Sequence, residues 1–164
     1  MKTYLDGFIY HLAVERGLSK NTLVSYRTDL TGYISFCSKH GLELLEQADR
    51  DMIMSYLFQL QIDGRSPATI ARHLASIRSF YRYLVREGTL RKDPSVDLES
   101  PRPAKKLPRV LTMEEVDHLL AQPLIGEPAG LRDKAMLELM YATGVRGSEL
   151  VSLNLVHINI ENGY

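Results

Sequence analysis

The chain has 164 residues, enough for one ordinary domain or two small ones, and enough to bury a core without disulfide or metal staples. Its 20 Lys+Arg balance 20 Asp+Glu, so net charge points to no class of partner, and a single cysteine, Cys37, excludes an internal disulfide. No apolar run approaches membrane-spanning length and no secretory leader pattern is found, so a cytoplasmic protein with no membrane partner is the expectation.

Residues 2–16 place Leu5, Phe8, Ile9 and Leu12 at i, i+3, i+4, i+7, which predicts an amphipathic helix ended by Gly17. Ser19 then caps a second helix from Lys20 to about Lys39. Its apolar side carries Leu23, Tyr26, Leu30, Tyr33, Ile34 and Cys37, and Gly41 is its stop. Cys37 reads as a small buried residue. Asp49 or Asp51 caps a third helix through Ile53, Tyr56, Leu57 and Leu60, ending near Gly64.

The fourth helix has the clearest pattern. Ser66-Pro67 is an N-cap followed by proline at the first helical position, and Gly88 follows the last turn at Glu87. Ile70, Leu74, Ile77, Tyr81 and Leu84 fall within about an 80° arc. Arg72, Arg78, Arg82 and Arg86 fall roughly opposite. Almost no acidic residue interrupts this ladder, so pairing along the helix does not account for its charges.

The distribution of charge agrees. Residues 1–60 carry six basic and seven acidic side chains, residues 61–110 eleven and five, and residues 111–164 three and eight. A positive middle third is the electrostatic footprint of a nucleic-acid binder, although solvated basic helices share it. Residues 89–109 contain Pro94, Pro101, Pro103 and Pro108 and add Arg102, Lys105, Lys106 and Arg109, which predicts an extended basic linker. The expected organisation is a four-helix domain over 1–88, a linker over 89–109 and a second domain over 110–164.

The second domain opens on a capping box, Thr112 to Glu115, with Val116, Leu119 and Leu120 as the apolar face of its helix. After a loop through Gly126, Pro128 and Gly130, Leu131–Thr143 reads as a strongly apolar helix buried on most sides. Gly144 breaks it, Arg146 follows, and a short helical pattern begins at Ser148. An arginine beside a helix N-terminus suits a phosphate or carboxylate, and equally a plain surface cap. Val156, Ile158 and Ile160 then alternate with polar residues as in a strand, and Asn162-Gly163 is a hairpin-turn signal. A strand with no following partner, on a segment too short for its own core, suggests a piece of a longer protein. The five histidines have no metal-ligand spacing and read as core or surface residues, so no metal is expected on them.

These residues together resemble the tyrosine recombinases, the phage-integrase and Xer-type family, over nearly the whole chain. Glu15-Arg16-Gly17-Leu18-Ser19-Lys20-Asn21-Thr22-Leu23 with Tyr26 and Asp29 looks like the start of the family's helical core-binding domain. Ser66-Pro67-Ala68-Thr69-Ile70-Ala71-Arg72-His73-Leu74, Arg78-Ser79-Phe80-Tyr81 and Arg86-Glu87-Gly88 resemble its last helix. Asp93-Pro94 and Leu107 to Thr112 look like the passage into the catalytic domain, and Tyr141 to Arg146 with Ser148-Glu149-Leu150 is similar to the segment bearing the family's first catalytic arginine. The Xer and integron-type branches look closest.

The resemblance implies a mainly α fold: a four-helix core-binding (SAM-like) domain, a linker, and the truncated beginning of an α+β catalytic domain ending in a β-strand. It implies a site-specific recombination protein that binds duplex DNA, acts with other recombinase subunits as a tetramer, and cleaves and rejoins DNA through a 3′-phosphotyrosine without cofactor. Arg146 matches the position that binds the scissile phosphate, and Glu149 an acidic position beside it. Gly147 departs from the pattern, in which many relatives carry an apolar residue. The family's lysine, His-x-x-Arg pair and late tyrosine have no counterpart here, and Tyr164, at the expected turn, is a poor nucleophile, so the chain by itself is expected to be inactive. The alternative is a catalytically inert relative that binds DNA or another recombinase. A helical protein–protein module unrelated to DNA is the third reading. The residues expected on DNA are the N-terminal turn residues Lys20, Asn21 and Thr22, then Arg65, Ser66, Arg72, Arg78 and Arg82, and Lys105 and Lys106.

Overall fold

Four amphipathic helices account for the first part of the chain. α1 (Lys2–Val14) buries Leu5, Phe8, Ile9 and Leu12 and stops two residues short of the expected end. α2 (Lys20–Lys39) starts at Ser19, whose Oγ accepts the Thr22 N–H at 3.3 Å. It buries Leu30, Tyr33 and Cys37 as the pattern requires, and also Asp29, a carboxylate in the middle of its inner face. α3 (Arg50–Ile62) is capped by Asp49 rather than Asp51, through the Met52 N–H at 2.9 Å. α4 (Pro67–Arg86) starts at Ser66 and buries all five of the apolar residues on the arc Ile70 to Leu84. The expected glycine stops Gly17, Gly41, Gly64 and Gly88 all have positive φ, the conformation in which a side chain is strained.

The computed structural model describes residues 1–100 and 110–157. The chain divides into two compact units, Met1–Lys105 and Lys106–Tyr164. In the first, α4 contacts each of the other three helices. Phe8, Leu74, Ile77, Phe80 and Leu84 form its centre, each almost wholly buried and each worth about 1.5–3 kcal/mol by removal from water. The Tyr33 and Tyr81 hydroxyls, buried with them, satisfy one another at 2.9 Å, and burial pushes both phenols well above their usual range.

Residues 89–100, expected as free linker, are packed. Leu90, Ser95 and Leu98 are buried. Asp93 accepts the Ser95 N–H at 2.8 Å, and Arg78 Nε donates to the Ser95 carbonyl at 3.4 Å. Gly88 has already ended α4, and the two leucines return the segment to the apolar core of the unit. The remaining linker residues, Lys105 and Lys106 among them, lie outside the described residues.

In the second unit α5 (Met113–Ala121) carries the expected capping box: Thr112 Oγ1 accepts the Glu115 N–H at 3.2 Å and Glu115 returns the bond at 2.8 Å. α6 (Pro128–Thr143) begins three residues earlier than expected, with Pro128 in its first turn. It is not buried on most sides. Leu131 is 60% exposed and Tyr141 55%, because among the described residues α6 packs only on α5 and on α7 (Gly147–Leu150). The expected strand is contradicted where it is described: Leu155–His157 is a 3₁₀ turn, closed by the Asn154 N–H on His157 Nδ1 at 3.1 Å. The rest of that strand, the Asn162-Gly163 turn and Tyr164 lie outside the described residues. Among the described residues no helix is long and apolar enough to cross a membrane.

Candidate nucleic-acid interface

On the first unit, residues of α1, α2 and α4 line an open groove of about 550 Å³. Arg78, Arg82 and Arg86 follow one another at single-turn spacing along α4, and Arg16, just past the end of α1, joins them. No carboxylate is among the lining residues. Four guanidinium groups line one groove, and the one carboxylate paired with any of them, Glu87 at 3.5 Å from Arg86, is not among the lining residues, so the groove favours an anion.

Their partners differ. The Arg82 side chain is exposed and has no hydrogen-bond partner among the described residues, and the Arg16 side chain likewise. Arg78 makes the bond to Ser95. Arg86 donates to His11 Nε2 at 2.9 Å and lies 5.9 Å from the Tyr83 ring centre, a cation–π distance. His11 is buried, stacked on Tyr83 at 5.1 Å, with its Nδ1 2.9 Å from Glu15. These partners assign the proton to Nδ1, which leaves Nε2 to accept from Arg86. The His11 hydrogen bond holds the exposed Glu15 carboxyl below its usual value.

A second depression of about 370 Å³ adjoins the groove, since Tyr26 and Ala75 line both. It brings together Asn21, Thr22, Ser25 and Arg72. Here the ladder needs correcting. Arg72 is not unpaired: its Nη1 donates to Asp29 Oδ2 at 2.7 Å. The same oxygen accepts from Ser76 Oγ at 2.8 Å, and His73 Nε2 stands 3.2 Å from Oδ1. His73 Nδ1 faces the Tyr56 hydroxyl at 3.0 Å. Desolvation holds the His73 ring below its usual pKa; Asp29 opposes the shift, and Arg72 and Arg65 add to it. The ring is therefore neutral at pH 7, with Nδ1 accepting from Tyr56, and Asp29 Oδ1 is left buried without a hydrogen-bond partner among the described residues. The counter-charge for Arg72 comes from another helix, which is why spacing along α4 does not reveal it.

A third depression, of about 490 Å³, brings Arg65 beside Arg72 and His73. Lys20 is exposed and lines none of the three. Ser66 Oγ is occupied by its own cap, accepting the Thr69 N–H at 3.2 Å. Arg16 belongs to the family-like stretch Glu15 to Leu23 but not to the residues expected on DNA, its signal being no more than a charge at a helix end. Asp29 had a better one: it falls three residues from Tyr26 and four from Tyr33, inside the apolar stripe of α2.

In the second unit Gly144 ends α6 at φ 68°, donating its N–H to the Met140 carbonyl at 2.9 Å. That left-handed residue turns the chain at once into α7. Glu149 accepts the Arg146 backbone N–H at 2.8 Å and the Arg146 Nη1 at 3.1 Å. The sequence thus brings Arg146 and Glu149 together, with the arginine side chain 81% exposed and the carboxylate fixing both its backbone and its head. Among the described residues no cluster of three or more His, Cys, Asp and Glu forms a metal site.

Residues 5–88 match the family description "Phage integrase, N-terminal SAM-like domain", and residues 109–164 match "Phage integrase family". The chain is 44% identical to the tyrosine recombinase XerD of Oceanobacillus iheyensis over 98% of its own length and 54% of that protein's. It is 41% identical to XerD of Staphylococcus aureus over its whole length and 56% of that protein's. The chain thus spans about half the length of the curated relatives it matches. Among solved structures, a lambda integrase (75–356) dimer bound to a COC′ core site superimposes with a TM-score of 0.70 at 20% identity, over 98% of this chain and 55% of that one. The Tn1549 transposon integrase in complex with a circular intermediate DNA gives 0.68 at 15% identity, over 96% and 50%. These likenesses carry the fold alone. With a matching family description over more than half of its residues, the chain belongs to the phage integrase family.

Proposed function

We propose that this chain is the DNA-binding front portion of a site-specific tyrosine recombinase, working in the cytoplasm on duplex DNA. The observation that carries the reading is the groove in which Arg16, Arg78, Arg82 and Arg86 converge with no carboxylate among them. Phosphate oxygens are the anions such a groove fits, and DNA supplies them in a row. Lys20, Asn21, Thr22, Arg65, Ser66, Arg72, Lys105 and Lys106 extend the contact in this reading, Ser66 through backbone N–H groups because its hydroxyl is used.

Arg146 is proposed to bind the scissile phosphate. A guanidinium fork there stabilises charge developing on the non-bridging oxygens, and Glu149 holds its aim. The whole reaction is proposed to break a phosphodiester by attack of a tyrosine hydroxyl, giving a 3′-phosphotyrosyl link and a free 5′-hydroxyl. A 5′-hydroxyl from a partner duplex then reverses that attack. Relatives assemble as several subunits on DNA: one solved structure is a lambda integrase tetramer bound to a Holliday junction. We propose the same class of partner, further copies of the recombinase, for this protein. The test is duplex binding across a salt series. The logarithm of the binding constant should fall linearly with log salt, with a slope of roughly 0.9 per phosphate neutralised. A salt-independent affinity would remove the electrostatic basis of the proposal.

A further inference from the structure

We infer that Asp29 is a positioning residue for DNA, acting through Arg72 rather than on the DNA itself. The inference rests on the DNA-binding reading and goes beyond it by assigning a role to a buried acid in a basic surface. Asp29 is wholly buried, whereas the Arg72 side chain is 49% exposed. The pair is therefore half sunk: one guanidinium N–H is fixed at 2.7 Å on a carboxylate that solvent does not reach. The remaining guanidinium donors have no protein partner among the described residues, and Arg72 lines the depression that Asn21, Thr22 and Ser25 share.

The carboxylate is itself held. Ser76 Oγ donates to the same oxygen at 2.8 Å and His73 Nε2 stands 3.2 Å from the other. Two α4 residues, Arg72 and Ser76, hold the Oδ2 oxygen of this α2 side chain, while Oδ1, beside His73, has no hydrogen-bond partner among the described residues. Asp29 cannot follow Arg72 outward, so Arg72 is confined to the rotamers that keep the pair. A long arginine otherwise loses side-chain freedom when it meets a phosphate, and that loss weakens binding. Here the loss is taken on folding, and the free donors meet the phosphate already aimed. Arg72 also contributes less net charge than its neighbours, because Asp29 offsets it. What it supplies is direction.

Charge compensation and positioning predict opposite signs, which makes the test decisive. Asp29→Asn adds one positive charge to the protein. If Asp29 only offsets Arg72, duplex DNA binds more tightly. If Asp29 aims Arg72, binding weakens about tenfold despite the added charge, as loss of one charge-assisted contact predicts. The measurement is fluorescence-anisotropy binding of a labelled duplex at several salt concentrations, on variants shown to be folded by their helical melts. Expected are weaker binding by Asp29→Asn, a salt slope lower by about 0.9, a similar loss in Arg72→Ala, and no further loss in the double variant. Equal or tighter binding by Asp29→Asn overturns the inference. Should that variant fail to fold, Arg72→Lys and Ser76→Ala keep the net charge and carry the same question. Each should weaken binding severalfold, and wild-type affinity in both overturns it. If the wild-type chain binds no DNA at low salt, the functional reading itself fails, a result distinct from either sign of the Asp29→Asn effect.

Discussion

Arg72 and Asp29, 43 residues apart in sequence, meet at 2.7 Å across the α2–α4 contact, and of the two it is the acid that is buried. A basic ladder read along α4 predicts four equivalent arginines, and this pair makes them unequal. Arg72→Ala leaves a buried carboxylate with the Ser76 hydroxyl and a neutral imidazole. It should cost about 1–3 kcal/mol, toward the lower end because half of the arginine side chain is in water. Arg82→Ala removes a side chain with no protein partner and should change stability by less than about 0.5 kcal/mol. Thermal melts followed by circular dichroism separate them; equal melting temperatures for the two variants would show that the ion pair contributes nothing.

The His73 ring supplies a pH dependence whose sign is fixed. Desolvation first, then Arg72 and Arg65, depress its folded pKa, against the pull of Asp29. The unfolded chain, with an ordinary histidine near pH 6.5, therefore binds the proton more readily. Stability from this group is complete above the unfolded value and is lost as pH falls from about 6.5 toward the folded pKa. The groups facing the ring are Asp29, Tyr56, Arg65 and Arg72, and burial pushes the Tyr56 phenol well above its usual range, so it stays protonated throughout. The melting temperature should drop between pH 7 and pH 5.5 in the wild type and drop less in His73→Gln. A wild-type curve flat over that interval, or one that rises, contradicts the neutral-ring assignment.

Much of the first unit was legible because its signals are local. Ser19 and Ser66 cap because a hydroxyl just ahead of a helix satisfies orphan N–H groups, and Ile70 to Leu84 are buried because the 3.6-residue period alone orients them. Asp29 and Arg72 were opaque because their relation is tertiary: nothing within four residues of Arg72 is acidic. The packing of residues 89–100 is hidden for a similar reason, since a proline excludes a helix and does not tell where Leu90 and Leu98 go. At the Arg146 corner Gly144, Arg146 and Glu149 are all readable, lying within six consecutive residues. α6 is more exposed than its sequence predicts, because apolar composition states what a helix needs and not what covers it.

Gly32 tests how tightly α2 and α3 are fitted. A Cβ built at Gly32 would stand 2.8 Å from the Tyr56 hydroxyl oxygen, which itself bonds His73 at 3.0 Å. Gly32→Ala must therefore move the tyrosine and break that bond, at a cost of about 1–3 kcal/mol despite alanine's better helix propensity. Tyr56→Phe removes the clashing oxygen. The double variant should be more stable than the sum of the single losses predicts, by 0.5 kcal/mol or more. Strict additivity in denaturant melts would show that the hydroxyl is not what meets the new methyl.

The chemistry proposed for the family needs more than Arg146 and Glu149. The sequence contains no His-x-x-Arg, and Tyr164 falls beside the Asn162-Gly163 turn signal. The 164-residue chain should therefore bind a nicked suicide duplex without linking to it. A denaturing gel with end-labelled DNA makes the check, and a protein-linked band mapping to Tyr164 would refute the assignment of that residue as a bystander.

The groove arginines should each register in the salt dependence of binding, but not alike. Arg16 and Arg82 are exposed and make no side-chain bond among the described residues, so each is free to release counterions on contact with phosphate. Arg16→Ala and Arg82→Ala should each lower the slope of log K against log salt by about 0.9. Arg86 spends one edge on His11 and lies over Tyr83, so Arg86→Ala should cost stability as well as affinity. Because phosphate contacts carry no sequence information, all three variants should weaken binding to unrelated duplexes by equal factors. A loss confined to one duplex sequence would instead place the altered arginine on a base edge, and would reassign the groove from positioning to readout.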